Sequence, residues 1–331
     1  VLIPPAEAID AVSVTTSNYD AEFGRAAGAV TSVTLKSGTN QIRGSAFWFG
    51  NTDKTNALPA STYFSTTRTK PPTTYNQFGF TIGGPIKKNK LFYFGDYQRT
   101  QDRLGSVQRY IVPTEAFRRG DFSAAPTKVY DPLTGDAAGN GRVQFPNNQI
   151  PSNRLSPIAL ALLAKVPLPN LPGAALGQVN YQVNSYRDKN TDSFDTKFNY
   201  AVNDSNQISA RFSYQRPEVT QLPADGYGDW GGPLGGGFMA TGTNMTYSTA
   251  ANWTHTVSNT FLLEVRGGTS YYHNEALTTA NGQNLAEQVG IKGVNLDEWT
   301  SGPTTITLNN GYSNPALGYV NSLPWDRWER T

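Results

Sequence analysis

The chain has no cysteine, so disulfides, thiolate nucleophiles and cysteine-based metal sites are excluded. Histidine is nearly as scarce. His255 and His273 are the only two, and neither sits at a metal-ligand spacing or beside a pattern suited to general-base work. Charge is sparse too, at 16% of residues against about 25% in a typical soluble domain. The hydrophobic share is 37%, so the chain is short of both a charged surface and an aliphatic core. No stretch approaches the roughly 18 consecutive apolar residues of a membrane-spanning helix. A net charge of +2 without a sustained basic run argues against nucleic acid as a partner.

Glycine, serine, threonine, asparagine, glutamine and tyrosine fill the gap. Aromatics reach 12%, with 17 Tyr, 16 Phe and 6 Trp. This mixture suits a sheet with one face in lipid, the other in water, and Tyr and Trp at the boundaries. On composition alone a secreted, loop-rich β protein fits equally well.

Helical periodicity is confined to residues 155–166 (LSPIALALLAKV), stopped by Pro167 and Pro169. Elsewhere the period is two. Phe194, Thr196, Phe198 and Tyr200 alternate with Asp195, Lys197 and Asn199; Ile208, Ala210, Phe212 and Tyr214 alternate with Ser209, Arg211 and Ser213. Leu263 and Val265 likewise alternate with Glu264 and Arg266. The pattern predicts strands near 42–49, 77–84, 91–100, 193–203, 207–216, 246–257 and 260–270. Several run about 9–11 residues, the length a tilted strand needs to cross a bilayer. Their connections alternate strictly. Residues 50–76, 101–192, 217–245 and 271–331 are long, while 85–90, 204–206 and 258–259 are short. Outer-membrane barrels show this asymmetry because periplasmic turns are short and extracellular loops long. The fold class expected is therefore all-β, an antiparallel transmembrane β-barrel of about seven strands. Two earlier runs, 8–17 and 28–36, are shorter and evenly polar; they read as a small globular β unit.

Several strings carry a family resemblance. Glu7-Ala8-Ile9-Asp10, Tyr19-Asp20-Ala21-Glu22-Phe23-Gly24-Arg25, Thr34-Leu35-Lys36-Ser37-Gly38-Thr39-Asn40 and Arg43-Gly44-Ser45-Ala46-Phe47-Trp48-Phe49 resemble the end of the plug domain and the first barrel strand of TonB-dependent outer-membrane transporters. Asn76-Gln77-Phe78-Gly79, Gly83-Gly84-Pro85-Ile86 and Phe92-Tyr93-Phe94-Gly95-Asp96-Tyr97 are similar to the next two strands of the Oar-like subgroup. Val112-Pro113-Thr114, Gly120-Asp121-Phe122-Ser123, Tyr130-Asp131-Pro132-Leu133-Thr134-Gly135 and Asn148-Gln149-Ile150-Pro151 follow in the same order. The resemblance divides the chain into the C-terminal part of a plug domain at 1–40 and the N-terminal portion of a barrel at 41–331. It implies about 22 strands in the whole barrel. The chain opens at Val1-Leu2-Ile3-Pro4-Pro5 without a start Met or basic leader, so an outer-membrane protein is expected here as a fragment or a mature segment.

What the resemblance implies is uptake of a nutrient (siderophore, oligosaccharide or peptide) across the outer membrane of a Gram-negative bacterium. A periplasmic TonB-type protein would energise it, through a contact upstream of Val1. Outer-membrane lipid and an unidentified extracellular substrate would be the other partners. No reaction chemistry, cofactor or metal is implied. The alternative is a structural or adhesin-like surface protein that binds a partner through its long loops.

Candidate residues follow from position. Glu22 and Arg25, three apart in the plug-like turn, are candidates for a plug-to-barrel ion contact. Asp195, Lys197, Arg211, Glu264 and Arg266 share the polar phase of their strands and would line the lumen. Trp48, Tyr93, Tyr97, Tyr200, Tyr214 and Trp253 are candidates for the aromatic girdle. Asp131, Asp136 and Asn140 offer oxygen ligands for calcium, but without the spacing of a calcium loop a plain turn is favoured. Residues 231–237 are glycine-rich without phosphate-loop spacing and read as a loop.

Overall fold

The computed structural model describes residues 2–16, 28–58, 60, 70–221, 228–230, 240–307, 316–317 and 325–331. Strands β1 (Ile9–Thr15) and β2 (Val30–Leu35) form an antiparallel hairpin of their own. The main sheet holds β3 (Arg43–Thr52), β4 (Thr73–Lys87), β5 (Leu91–Tyr110), β6 (Tyr181–Asn203), β7 (Asn206–Gln221), β8 (Ala240–Ser258) and β9 (Phe261–Thr278). Each pairs antiparallel with the next in sequence. After a two-residue ladder of β10 (Ile306–Thr307) with β11 (Ala316–Leu317), an eighth strand, β12 (Trp325–Arg330), pairs with β9. The sheet is open, with β3 and β12 at its edges.

These ladders are longer than hydropathy predicts, mostly at the end of the long connections. β5 and β6 stay paired from Leu91↔Tyr200 to Tyr110↔Tyr181, which cuts the expected loop 101–192 to 111–180. β3 and β4 reach into the loop expected at 50–76, to Thr52 and from Thr73, and β7 and β8 into that expected at 217–245, to Gln221 and from Ala240. The region 271–331 is not a single loop, because β9 runs on to Thr278 and β12 returns. A ladder needs only backbone hydrogen bonds, so it continues where the alternation of apolar and polar residues has faded.

The helix expected over 155–166 narrows to α2 (Pro157–Leu163); the short α1 (Glu115–Arg118) precedes it and α3 (Leu285–Gln288) follows β9. Pro157 starts α2, and the Ser156 hydroxyl accepts from the Ala159 amide at 3.4 Å. Its exit is set by Arg118, whose guanidinium donates to the carbonyls of Leu163 (2.7 Å), Val166 (2.5 Å) and Pro167 (2.5 Å). Those carbonyls are thereby satisfied outside a helix.

Two apolar cores result. The larger gathers Tyr110 and Val112 after β5, Val166 after α2, Tyr181 and Val183 of β6, Trp230, and Ala280, Leu285 and Val289 beyond β9. Three loops therefore close over one core as a folded cap, where the sequence suggests independent excursions. The smaller core is Ala8, Leu35 and Phe94, and it joins the hairpin to β5.

The crossing from hairpin to sheet requires Gly38. A Cβ there would lie 2.2 Å from the Tyr93 carbonyl oxygen and 2.7 Å from that of Gly84, closer than any carbon tolerates. Two residues on, Asn40 is tied to the β4–β5 turn: its amide oxygen accepts from the Asn89 backbone N–H at 2.8 Å and its amide nitrogen donates to Asn89 Oδ1 at 2.6 Å. Gly38→Ala is therefore expected to lift the hairpin from the sheet and speed proteolytic cleavage within residues 9–40. Gly267→Ala, at a position with nothing within 4 Å, should leave cleavage unchanged. Equal cleavage of both variants would remove this role.

Candidate functional site

Register sorts the side chains of the main sheet onto two faces. On the first, one row crosses every strand: Ala46, Phe80, Tyr97, Phe194, Tyr214, Tyr247, Tyr271 and Arg330 are successive cross-strand partners. Phe80 meets Tyr97 at 6.2 Å, Phe194 meets Tyr214 at 5.4 Å, and Tyr247 stacks on Tyr271 at 4.7 Å between ring centroids. A second row on this face runs Leu91, Tyr200, Ile208, Trp253, Val265, close to the short turns. The Trp253 indole N–H donates to Asn206 Oδ1 at 3.1 Å there. All six girdle candidates stand on this face, with Trp48 opposite Phe78 and Tyr93 opposite Phe198. Sequence reading missed Phe80, Phe194, Tyr247 and Tyr271, which belong to the same row.

One residue pair above that row, the same face turns ionic. Arg99 bridges Asp192 at 3.1 Å, and Asp192 also accepts the Tyr97 hydroxyl at 2.6 Å. Arg103 bridges Asp188 at 3.4 Å and lies over the Tyr186 ring at 4.5 Å. The step from rings to ion pairs is abrupt.

The second face is polar at its centre, with Phe92 and Phe94 of β5 and Phe47 and Phe49 of β3 among its apolar exceptions. Asp195, Lys197, Arg211, Glu264 and Arg266 all lie on it, Lys197 directly opposite Arg211 and Glu264 joined to Arg266 by hydrogen bonds of 2.9 and 2.7 Å. Lys197, Arg211 and Arg266 surround a concavity of about 440 Å³ floored by Ala250 and Gly268. The hairpin docks against this face. Leu35 packs on Phe94, and the Lys197 ammonium donates to the Leu35 carbonyl at 3.0 Å. A second hollow of about 550 Å³, lined by Glu7, Asp10, Lys36 and Arg43 among others, separates the hairpin from β3 and β4. Glu22 and Arg25 lie outside the described residues. Among those described, the hairpin contact is made by Lys197 and Phe94.

Residues 34–331 match the model of the outer membrane beta barrel domain family. The chain belongs to this family. It is also similar to the TonB-dependent transporter Oar of Myxococcus xanthus, 33% identical over 94 residues that make up 28% of this chain and 9% of the relative. The match thus spans less than a tenth of that protein's length.

Membership in the outer membrane beta barrel family locates the chain in the outer membrane of a Gram-negative bacterium. The ring-bearing face exposes Trp48 (67%), Trp328 (57%) and Phe80 (49%). The long connection between β5 and β6 is ordered by polar anchors. Asn148 accepts from the Val129 amide at 2.6 Å and donates to the carbonyls of Phe122 (2.7 Å) and Thr127 (3.0 Å). Asp131 takes a two-pronged ion pair from Arg154 at 3.0 and 2.6 Å plus the Leu133 amide at 2.9 Å. Asp136 accepts from the amide and side chain of Asn140, so both aspartates of the calcium candidate serve turns. Among the described residues no three acidic or histidine side chains converge as metal ligands. His273 is engaged instead by Asp326 at 2.7 Å and by the Trp328 ring at 3.7 Å.

The Arg154 guanidinium, then the Leu133 N–H, hold the Asp131 carboxyl below its ordinary range. A lowered value contributes order that is complete above the unfolded value, about 3.9 for Asp. That order is lost only as the pH falls through the lowered folded value. The Asp131 amide, which donates to the Val143 carbonyl at 2.8 Å, should therefore keep its hydrogen-exchange protection down to about pH 4. In Arg154→Met that protection should fall severalfold already at neutral pH. Unchanged protection in the variant would show that the pair anchors nothing.

Proposed function

We propose that this chain forms the plug-to-barrel junction and first barrel strands of a TonB-dependent transporter of the Oar-like type. The observation that carries the reading is the β1–β2 hairpin seated on the polar face of the sheet through Leu35, Phe94 and Lys197. A membrane barrel with nothing to occlude has no use for a separate β unit on its inner wall. The similarity to the Myxococcus transporter supports the same reading. In it, the hairpin is the end of a plug. Asp195, Lys197, Arg211, Glu264 and Arg266 line the lumen, and the six aromatic candidates mark the membrane boundaries. The folded cap receives a nutrient outside the cell. A periplasmic TonB-type protein supplies the pull that loosens the plug. The chain makes and breaks no covalent bond.

The open sheet agrees with this division of labour. Unpaired strand edges in hydrocarbon leave each polar group with a penalty of several kcal/mol, so β3 and β12 require further strands of the full-length protein as partners. The attachment of the hairpin is correspondingly light. Among the described residues, one charge-assisted hydrogen bond and three apolar side chains fix it to β5 and β6, and the first of these is worth about 1.5–3 kcal/mol.

A second reading, surface adhesion, draws on the cap, whose common core makes its outer surface a fixed shape. Energy dependence separates the two. In cells carrying the full-length protein, uptake of its nutrient should collapse when the proton gradient is dissipated, with surface binding retained. Uptake indifferent to the gradient would refute the transporter. Lys197→Met, which keeps the stem and removes the donor, should raise passive entry of a large hydrophilic antibiotic severalfold; wild-type resistance in that variant would exclude Lys197 as a plug contact.

A further inference from the structure

On the polar face, the row Ser45, Thr81, Asp96, Asp195, Ser213, Ser248, Ser270 crosses seven strands as successive cross-strand partners. It places two carboxylates directly opposite each other at its centre. Asp96 is 6% exposed, Asp195 1% and Ser213 1%. Both Asp96 oxygens, Asp195 Oδ1 and Ser213 Oγ are sealed from solvent and have no hydrogen-bond partner. Like charges directly opposite across a ladder repel, and a buried carboxylate without a donor is among the costliest groups a protein can hold. The nearest cations do not resolve this. Lys197 and Arg211 face the same way one position along β6 and β7, but neither donates to any of the four oxygens, and the Lys197 ammonium is turned to the hairpin. The neighbouring Thr81 hydroxyl is occupied by Ser45 at 2.9 Å.

We propose that Asp96, Asp195 and Ser213 bind a calcium-type divalent cation within the barrel wall. The donor set is all oxygen, which selects a hard cation. Two facing carboxylates match a charge of two. Directly opposite residues have Cβ atoms about 4.5–5.5 Å apart, which leaves room for an ion with oxygens at about 2.3–2.6 Å on either side. Magnesium fits less well, because it demands shorter bonds in near-ideal octahedral geometry, whereas calcium tolerates an irregular shell that these two carboxylates and one hydroxyl fill in part. The ion would cross-link β5, β6 and β7 beneath the row of rings. Lys197 and Arg211, close by, hold its affinity below that of an all-acidic cage, so it exchanges with the medium. This inference does not depend on the transport reading.

The test uses the full-length protein, stripped of lipopolysaccharide in detergent micelles, with calcium alone as the probe. Equilibrium dialysis should find one equivalent of calcium in the wild type that is missing from Asp96→Asn and Asp195→Asn. The melting temperature of the wild type should rise by a few degrees with calcium and fall back with a chelator. Both variants should keep heat-modifiable gel migration, the sign of a folded barrel, and lose the calcium response. If the variants fail to fold, the wild type decides alone: no calcium-dependent shift overturns the proposal. Two other results also overturn it. One is a calcium equivalent that survives both substitutions. The other is a wild-type melting temperature that follows pH and ignores calcium, which would mean that the two carboxylates share a proton.

Discussion

Backbone amides and carbonyls inside hydrocarbon have no water to bond to, and a cross-strand ladder is one of only two ways to satisfy them all. Everything else in this chain follows from keeping that ladder whole. The strands pair in order from β3 to β9 and on to β12; register shifts sit at the tight turns, between Pro85 and Lys87, Ala201 and Asn203, and Thr256 and Ser258, and pairing of β7 with β8 lapses only at Arg216 and Pro217. Once pairing is continuous, side chains have only two directions to take. Lipid and water then select what each direction carries. That is why single-residue alternation, rather than any catalytic motif, is the dominant signal of the chain.

The parts of the structure that lipid and water dictate were legible in the sequence. Tyr200, Ile208 and Val265 could be assigned to one side from period two alone, and Asp195, Lys197 and Arg211 to the other. The short connections were equally plain, because two or three polar residues between apolar runs leave little choice of geometry. Where both sides of a strand meet water, the alternation disappears and the strand with it. Residues 101–110 and 181–192 have few apolar side chains and no sustained alternation, and they pair in full register, with Tyr110, Tyr181 and Val183 turned into the cap core. The cap was illegible for another reason. Val112, Val166, Trp230 and Leu285 carry no shared period and come from three separate connections, so only the sheet's topology brings them together.

Asp96 shows the same limit at the level of one residue. In the sequence it belongs to Phe94-Gly95-Asp96-Tyr97, a string that served only as part of a family resemblance. Its partner Asp195 was assigned to the lumen from its own strand. Nothing local connects two positions separated by a whole folded cap, and their apposition exists only once β5 and β6 are in register. A buried pair of this kind is invisible to composition and to motif, and becomes evident when pairing is known.

The paired ribbon of β5 and β6 has a consequence for access. From the Tyr97–Phe194 level it climbs thirteen more positions to Tyr110, roughly 40 Å measured along the strand. The cap rides at the top of this mast, well away from the row of rings. Under the proposed transport reading, a molecule arriving from the medium would meet the cap first, on a stiff mount whose approach is set by diffusion in open water.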